Sequence, residues 1–501
     1  MELRLQNSIA MERSPEGMSP ELSKPLIMNV GRNAFYSFPL QIQEALNRAS
    51  APYISSFRYG ESGYPVRYGP LFRQQYLSLQ RSQWENPESV RTKQLSQLRA
   101  LLQHADSHVP FYHRMFQERG FSPTNAKSLT DLHALPYLTR DLVRHNLDQM
   151  IADNVERSRL TMIATGGTSG NPLAFYADEE TFNPTEWAFL ISMWRRVGYR
   201  FGDKSVVLRG NVPPTGSHCY DDVTRQLILS SFHMTADIMQ SYVYLVGKFS
   251  PKFILAYPSS AMVLARYMKE NDVDPFPTVK ALLLASETVY DFQRSLLEEV
   301  FQCRVFSWYG HTERAVLGGE CEHSHYYHLF PEYGITEIVD KSGQPVERED
   351  EIGEIVATGF LNWAMPFIRY ETGDMGAYSS KRCACGRNYP LLTRVEGRTD
   401  EYIVAADGSL IPLGPAIFAI HDAKFAAVKQ IQFIQEKAGE LIIMAARGGY
   451  TSDAEIVRYL LTTFNRKLGA LFKLSVSVVD EIPRTSRGKH RYLIQKIPIG
   501  I

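Results

Sequence analysis

Between Asn86 and about Asn154 the apolar residues recur three and four positions apart, as in SVRTKQLSQLRALLQHA, which predicts amphipathic helices. Beyond Leu160 the pattern changes. Short β-rich runs (LTMIAT, KSVVLRG, KFILAYP, VKALLLAS, RVFSWYG) alternate with helical ones (EWAFLISMWRRVG, SSAMVLARYMKEN, DFQRSLLEEVFQ). Such alternation predicts a largely parallel or mixed sheet flanked by helices, an α/β fold. After Arg398 the pattern restarts with ELIIMAAR, the helical DAEIVRYLLTTFNRKLGALF and the strand-like KLSVSVVDEIP, a small α+β unit. The first fifty or so residues mix Pro, Ser and Asn without a sustained period and read as irregular. The expected organisation is an irregular arm over residues 1–90, a large α/β domain with a helical start over 91–399, and a small α+β domain over 400–501.

Length and composition narrow the partners. A chain of 501 residues exceeds one compact core, and 44% hydrophobic with 22% charged residues is ordinary for a globular protein. Lys plus Arg and Asp plus Glu number 54 each, so the net field offers no attraction for nucleic acid or an anionic membrane. There is no apolar run of about 18 residues to span a membrane, and the opening MELRLQNSIAMERSPEGMSP lacks the apolar core of a secretory signal, so the expected location is cytoplasmic. Five cysteines, an odd number in a long chain, argue for reduced thiols or metal ligands rather than a disulfide scaffold.

TMIATGGTSGNPLAFYADEE sets Thr165, Gly166, Gly167, Thr168, Ser169 and Gly170 between two strand-like runs. Glycines allow close approach, and successive backbone N–H groups and hydroxyls can donate to phosphate oxygens. It is not a Walker loop, and taken alone it is equally a solvated hairpin.

Four further blocks change that balance: SWYGHTE (Ser307 to Glu313), RYETGDMG (Arg369 to Gly376), GRTDEYI (Gly397 to Ile403) and PRTSRGKHR (Pro483 to Arg491). In this order and separation the five blocks resemble the core motifs of the acyl-adenylate-forming superfamily, and within it the phenylacetate-CoA ligase branch and its CapK-type relatives, from about Gln94 to the C-terminus. The resemblance implies an enzyme that uses ATP to turn a carboxylic acid, an aryl acid by analogy, into an acyl-AMP and then passes the acyl group to CoA. Transfer to an amine or hydroxyl, and a non-catalytic nucleotide-binding protein on the same fold, stay open as alternatives, as does a homodimer.

By that resemblance Glu313 holds Mg²⁺, which clamps phosphate oxygens. Tyr309 stacks on adenine beside Gly310 and Thr312, although a core aromatic is the commoner fate of such a Tyr. Asp374 accepts from the ribose hydroxyls, a task for an ionised acceptor with two oxygens, and Arg398 reaches the ribose or phosphates. Ser286 and Glu287, in KALLLASETVY, correspond to a substrate-and-nucleotide loop, and AYPSS (Ala256 to Ser260) to a pocket segment. Lys489, in a basic loop, corresponds to the catalytic lysine that bridges the acyl carboxylate and the α-phosphate, and Asp400 falls at the hinge between the two domains. One departure stands out: Asn171-Pro172 occupies the place where the usual loop carries Lys.

Cys383-Ala-Cys385-Gly386 follows the ribose block, and Cys321 lies upstream with His323, His325 and His328 behind it. Three thiols and an imidazole suit tetrahedral zinc, in a structural role because four protein ligands leave no open position. The resemblance favours His328 as the imidazole, while Cys219 and Cys303 read as ordinary thiols.

Overall fold

A computed structural model describes residues 69–165, 173–200, 202–210, 216–221, 224–232, 234–340, 342–346, 348–396, 402–413, 428–447, 452–482 and 493–497. The chain enters through helices α1 (Pro70–Ser82), α2 (Pro87–His108) and α3 (Pro110–Arg119). Asn86 accepts from Ser89 N–H at 2.8 Å and Pro87 takes the first turn, so α2 starts where an orphan donor is satisfied and no N–H is wasted. The short α4 (Arg140–His145) follows, capped by Thr139. The arm expected over 1–90 is corrected here: 70–82 is helical and buries Phe72, Tyr76 and Leu79, which recur at helical spacing.

β1 (Leu160–Ala164) and β2 (Ala174–Asp178) form an antiparallel hairpin. Then come α5 (Glu179–Trp194), β3 (Ser205–Leu208), β4 (His218–Asp221), β5 (Gln226–Leu229), α6 (Ala236–Phe249), β6 (Phe253–Ala256), α7 (Pro258–Glu270), β7 (Ala281–Ala285), α8 (Asp291–Phe301) and β8 (Arg304–Gly310). β5, β3, β6, β7 and β8 lie side by side and parallel. Every residue of β6 and β7 is buried, as a sheet covered on both faces requires.

From β8 onward the same sheet turns antiparallel through β9 (Leu317–Gly319), β10 (Tyr327–Leu329), β11 (Gly334–Val339), β12 (Gly353–Gly359), β13 (Tyr370–Ser379) and β14 (Leu391–Glu396). The twelve-stranded order is β11-β12-β13-β14-β10-β9-β8-β7-β6-β3-β5-β4. The sheet is therefore mixed. Its antiparallel half carries no crossover helices, because these connections are too short to return a strand in parallel.

β15 (Tyr402–Val404) and β16 (Leu410–Pro412) make a second hairpin, and β17 (Val428–Gln435), β18 (Glu440–Arg447), β19 (Lys473–Val479) and β20 (Leu493–Gln495) a separate small sheet in the order β19-β18-β17-β20. α9 (Asp453–Leu468) covers it with Ile456, Leu460, Phe464 and Leu468, spaced four apart along one helical stripe. Among the described residues no helix is long and apolar enough to cross a membrane.

One apolar core runs from the parallel strands and α6 and α7 into β17, β18 and α9. At this junction Lys467 is buried, with its Nζ 5.6 Å from the Phe232 ring centroid. Burial, then the Arg466 charge, pushes its pKa down to about 7 from 10.5. Between those values the unfolded chain binds the extra proton, so the Lys467 contribution to stability rises with pH. Lys467→Met is expected to remove that contribution: wild-type denaturant midpoints should gain on the variant's from pH 7 to pH 10, and parallel pH profiles would contradict the burial of this ammonium.

Candidate active site and candidate metal centre

The parallel strands end together on one edge, where ligands of such sheets gather. β8 runs out there as Trp308, Tyr309 and Gly310, followed by a turn holding His311, Thr312 and Glu313. The Tyr309 hydroxyl donates to Asp374 Oδ2 at 2.9 Å, which ties the end of β8 to β13. Glu313 is buried. It accepts from the Tyr370 hydroxyl on Oε1 at 2.6 Å, and His311 Nδ1 lies 3.0 Å from Oε2.

Arg140, at the start of α4, donates from Nε to the Tyr370 hydroxyl at 3.2 Å and from Nη2 to the Thr372 carbonyl at 3.1 Å. Burial pushes the Glu313 carboxyl up, but His311, Arg140 and the Tyr370 hydroxyl outweigh it and hold the pKa at about 2. The group is thus an ionised carboxylate in a desolvated setting, the condition under which a charge acts strongly on a neighbouring ion. Burial, followed by the Asp374 charge, raises the Tyr309 phenol well above its usual value, so it stays a neutral donor.

The sequence-expected residues fall into three groups. Tyr309, Gly310, Thr312 and Glu313 lie at the end of β8 and in the turn after it, with Thr312 half-buried, and Tyr309 brings Asp374 from the middle of β13 to them. A Cβ on Gly310 would meet Leu317 Cδ1 at 3.0 Å, so close packing against β9 also asks for glycine there. Ser286 and Glu287 follow β7 on the same edge. Ser286 is held at φ 73°, a left-handed conformation that costs a non-glycine residue about 1–2 kcal/mol. Glu287 accepts from Ser259 N–H and Oγ, both at 2.8 Å, linking the ends of β6 and β7. Thr165 closes the β1–β2 hairpin: its N–H donates to the Leu173 carbonyl at 2.8 Å and its Oγ1 accepts from Leu173 N–H at 2.9 Å. Gly166, Gly167, Thr168, Ser169, Gly170, Arg398, Asp400 and Lys489 lie outside the described residues.

Sequence reasoning missed Arg140 and Tyr370. Tyr370 stood inside the RYETGDMG block and could have been asked about, whereas Arg140 lies in a helical stretch without a motif and reaches the site only through the fold.

Away from this edge Cys321, His328, Cys383 and Cys385 bring their ligand atoms within 4.8 Å of one another. Cys321 Sγ is 3.5 Å from Cys383 Sγ, and Cys385 Sγ is 3.2 Å from His328 Nε2. All five cysteines are free thiols. A tetrahedral ion with bonds of about 2.0–2.3 Å sets its donors roughly 3.3–3.8 Å apart, close to these two separations, and the donor set is one that zinc takes. His328 Nδ1 lies 3.1 Å from the Tyr326 carbonyl, which turns Nε2 toward the thiols, the usual outer contact of a ligating imidazole. His325 instead faces Glu320 at 3.1 Å, and His323 contributes only its backbone N–H to Cys321 Sγ.

Among solved structures, that of 2-hydroxyisobutyryl-CoA ligase in its postadenylation state, bound to R3-HIB-AMP, superposes with a TM-score of 0.54 at 19% identity, over 83% of this chain and 92% of that one. The two proteins share a fold. In sequence the chain is similar to CapK and to phenylacetate-CoA ligases. It is 23% identical to Protein CapK of Staphylococcus aureus over 77% of this chain and 85% of that protein, and 26% identical to phenylacetate-coenzyme A ligase of Thermus thermophilus over 76% and 84%. Residues 403–496 match the family model of the CapK C-terminal domain.

Because Glu313 drops from 4.5 to about 2, its stabilising effect is present above pH 4.5 and is lost as pH falls toward 2. Glu313→Gln is expected to cost roughly 3 kcal/mol at pH 7, read from denaturant midpoints. The deficit should shrink below pH 4.5, and a pH-independent deficit would show that the carboxylate is not held ionised.

Proposed function

We propose that the chain is an AMP-forming acid ligase. A carboxylate attacks the α-phosphorus of ATP, forming an acyl–AMP mixed anhydride as pyrophosphate leaves. The CoA thiol then attacks the acyl carbon, forming the thioester as AMP leaves and the thiol proton passes to solvent. The observation that carries this reading is a buried ionised carboxylate, Glu313, in the turn after β8, with a second carboxylate, Asp374 of β13, bonded to Tyr309 at the end of the same strand. Homology to phenylacetate-CoA ligases supports it, and the acid and acceptor classes come from those relatives.

The residues divide the work by charge. Asp374 would accept from the ribose hydroxyls, with Tyr309 holding one carboxylate oxygen in place and its ring beside adenine. Glu313 would hold Mg²⁺, which when bound offsets charge on the phosphate oxygens. Arg140 and Tyr370 keep Glu313 ionised and oriented before nucleotide arrives. The glycine-rich segment 166–170 and Arg398 would serve the phosphates, and Ser286 and Glu287 the boundary between nucleotide and acid. Lys489 would supply the point charge between acyl carboxylate and α-phosphate, carried by a domain that pivots near Asp400. The Cys321, His328, Cys383 and Cys385 site would hold zinc and pin β9 and β10 to the β13–β14 loop.

Pyrophosphate exchange into ATP across aryl, hydroxy, fatty and amino acids is the direct assay. Exchange should depend on one acid class and fall about 10²-fold to 10³-fold in Lys489→Ala. CoA-dependent release of AMP should follow, whereas release driven by an amine would replace the thioester step, and no exchange with any acid would overturn the proposal. Metal analysis should find about one zinc per chain, lost with a lowered melting temperature in Cys383→Ser; a metal-free, fully stable wild type would exclude the zinc site.

A further inference from the structure

The carboxyl edge of the parallel strands holds a buried cation that none of the roles above uses. Arg209 follows β3 directly, and β6 and β7 separate β3 from β8 in the sheet, yet the Arg209 guanidinium carbon lies 5.4 Å from the ring centroid of Trp308 on β8. The side chain therefore reaches across the ends of two strands, over the edge where Tyr257 and Glu287 also lie. Its Nε and Nη2 are buried and have no hydrogen-bonding partner among the described residues, and neither has Trp308 Nε1. Among the described residues, then, a stacked guanidinium and indole keep three buried N–H donors without an acceptor.

Leaving such donors unsatisfied is costly, because burial strips their water and nothing replaces it. Burial lowers the Arg209 pKa, with the Tyr257 phenol opposing the shift, yet an arginine remains charged at neutral pH. A guanidinium presents a planar fork that matches a carboxylate or phosphate, and the Trp308 ring 5.4 Å away helps to hold it in place.

The direction of the spot is also informative. Tyr309 points to Asp374, and the neighbouring Trp308 leaves the strand on the opposite face. A group held by Arg209 and Trp308 is thus separated from the ribose locus by the end of β8. On the adenylation reading Glu313 serves the phosphates and Asp374 the ribose, which leaves the Arg209 spot to the acid.

Resting on the adenylation reading, we propose that Arg209 and Trp308 form the specificity pocket of the acid and that the substrate carries a second anionic group, as in a dicarboxylic acid. A plain aryl acid would leave the three donors unpaired, and a site built around a polar contact rejects the analogue that lacks it.

The test compares matched pairs of acylsulfamoyl adenosines on the full chain by calorimetry: phenylacetyl against (4-carboxyphenyl)acetyl, and butanoyl against succinyl. Wild type should bind the carboxylate-bearing member of at least one pair about 10-fold to 100-fold more tightly, the worth of charge-assisted hydrogen bonds. Arg209→Leu should abolish the preference while AMP binds as before, and Arg209→Lys should restore part of it. Equal affinities within both pairs in wild type, or a preference that survives in Arg209→Leu, would overturn the assignment; the wild-type comparison decides even if the variants fail to fold. Failure of wild type to bind AMP or any of the analogues would instead strike the adenylation reading on which this inference rests, and the two results are distinct.

Discussion

A carboxylate cannot be buried without compensation, and the arrangement around Glu313 is the consequence of burying one. Its two oxygens are taken up by Tyr370 and His311, and Arg140 stands behind Tyr370 as the opposing charge. Those partners come from three separate stretches of chain: the start of α4, the turn after β8, and the first residue of β13. Keeping Glu313 ionised therefore fixes how the helical entry segment, the parallel half of the sheet and its antiparallel half meet. The Tyr309–Asp374 contact repeats the link between β8 and β13 one step away. Removing a partner of a buried charge costs far more than a surface ion pair is worth, which makes this junction a stiff part of the edge.

The two halves of the sheet carry different burdens. Parallel strands, buried on both faces, deliver short loops to one edge, where Arg209, Tyr257, Ser286 and Glu287 follow successive strands. The antiparallel half brings Asp374 and Tyr370 back to that edge and gathers Cys321, His328, Cys383 and Cys385 at another place. Arg387, just beyond the cysteines, donates to Gln83 at 2.8 Å and to Glu322 at 2.8 Å, so the thiol cluster also anchors the end of α1. The small C-terminal sheet shares a core with α6 and α7, and the ammonium of Lys467 is buried at that contact.

Much of this was legible in the sequence where a period or a block of polar residues was long enough to register. The strand runs KFILAYP, VKALLLAS and RVFSWYG became β6, β7 and β8, and the stripe of DAEIVRYLLTTFNRKL became α9. The blocks around Glu313, Asp374 and the cysteines were singled out by residue type and order. A mixed sheet was expected, but the individual antiparallel strands from β9 to β14 were not picked out, because strands such as β12, buried along almost their whole length, lack the alternation that marks a half-exposed strand. α1 and α6 were not singled out, although Phe72, Tyr76 and Leu79 of α1 recur at helical spacing. Arg140 and Arg209 were invisible for a different reason: each acts on residues far along the chain, and only the folded strand order brings them together.

The central claim is that two carboxylates at this edge serve different parts of one nucleotide. Calorimetric binding of AMP and of Mg²⁺–ATP to wild type, Asp374→Asn and Glu313→Gln tests it most directly. The account predicts that Asp374→Asn weakens both ligands, while Glu313→Gln weakens Mg²⁺–ATP and leaves AMP nearly unchanged. Unaltered affinities in both variants would contradict it, because the carboxylates would then be structural and the nucleotide would bind elsewhere.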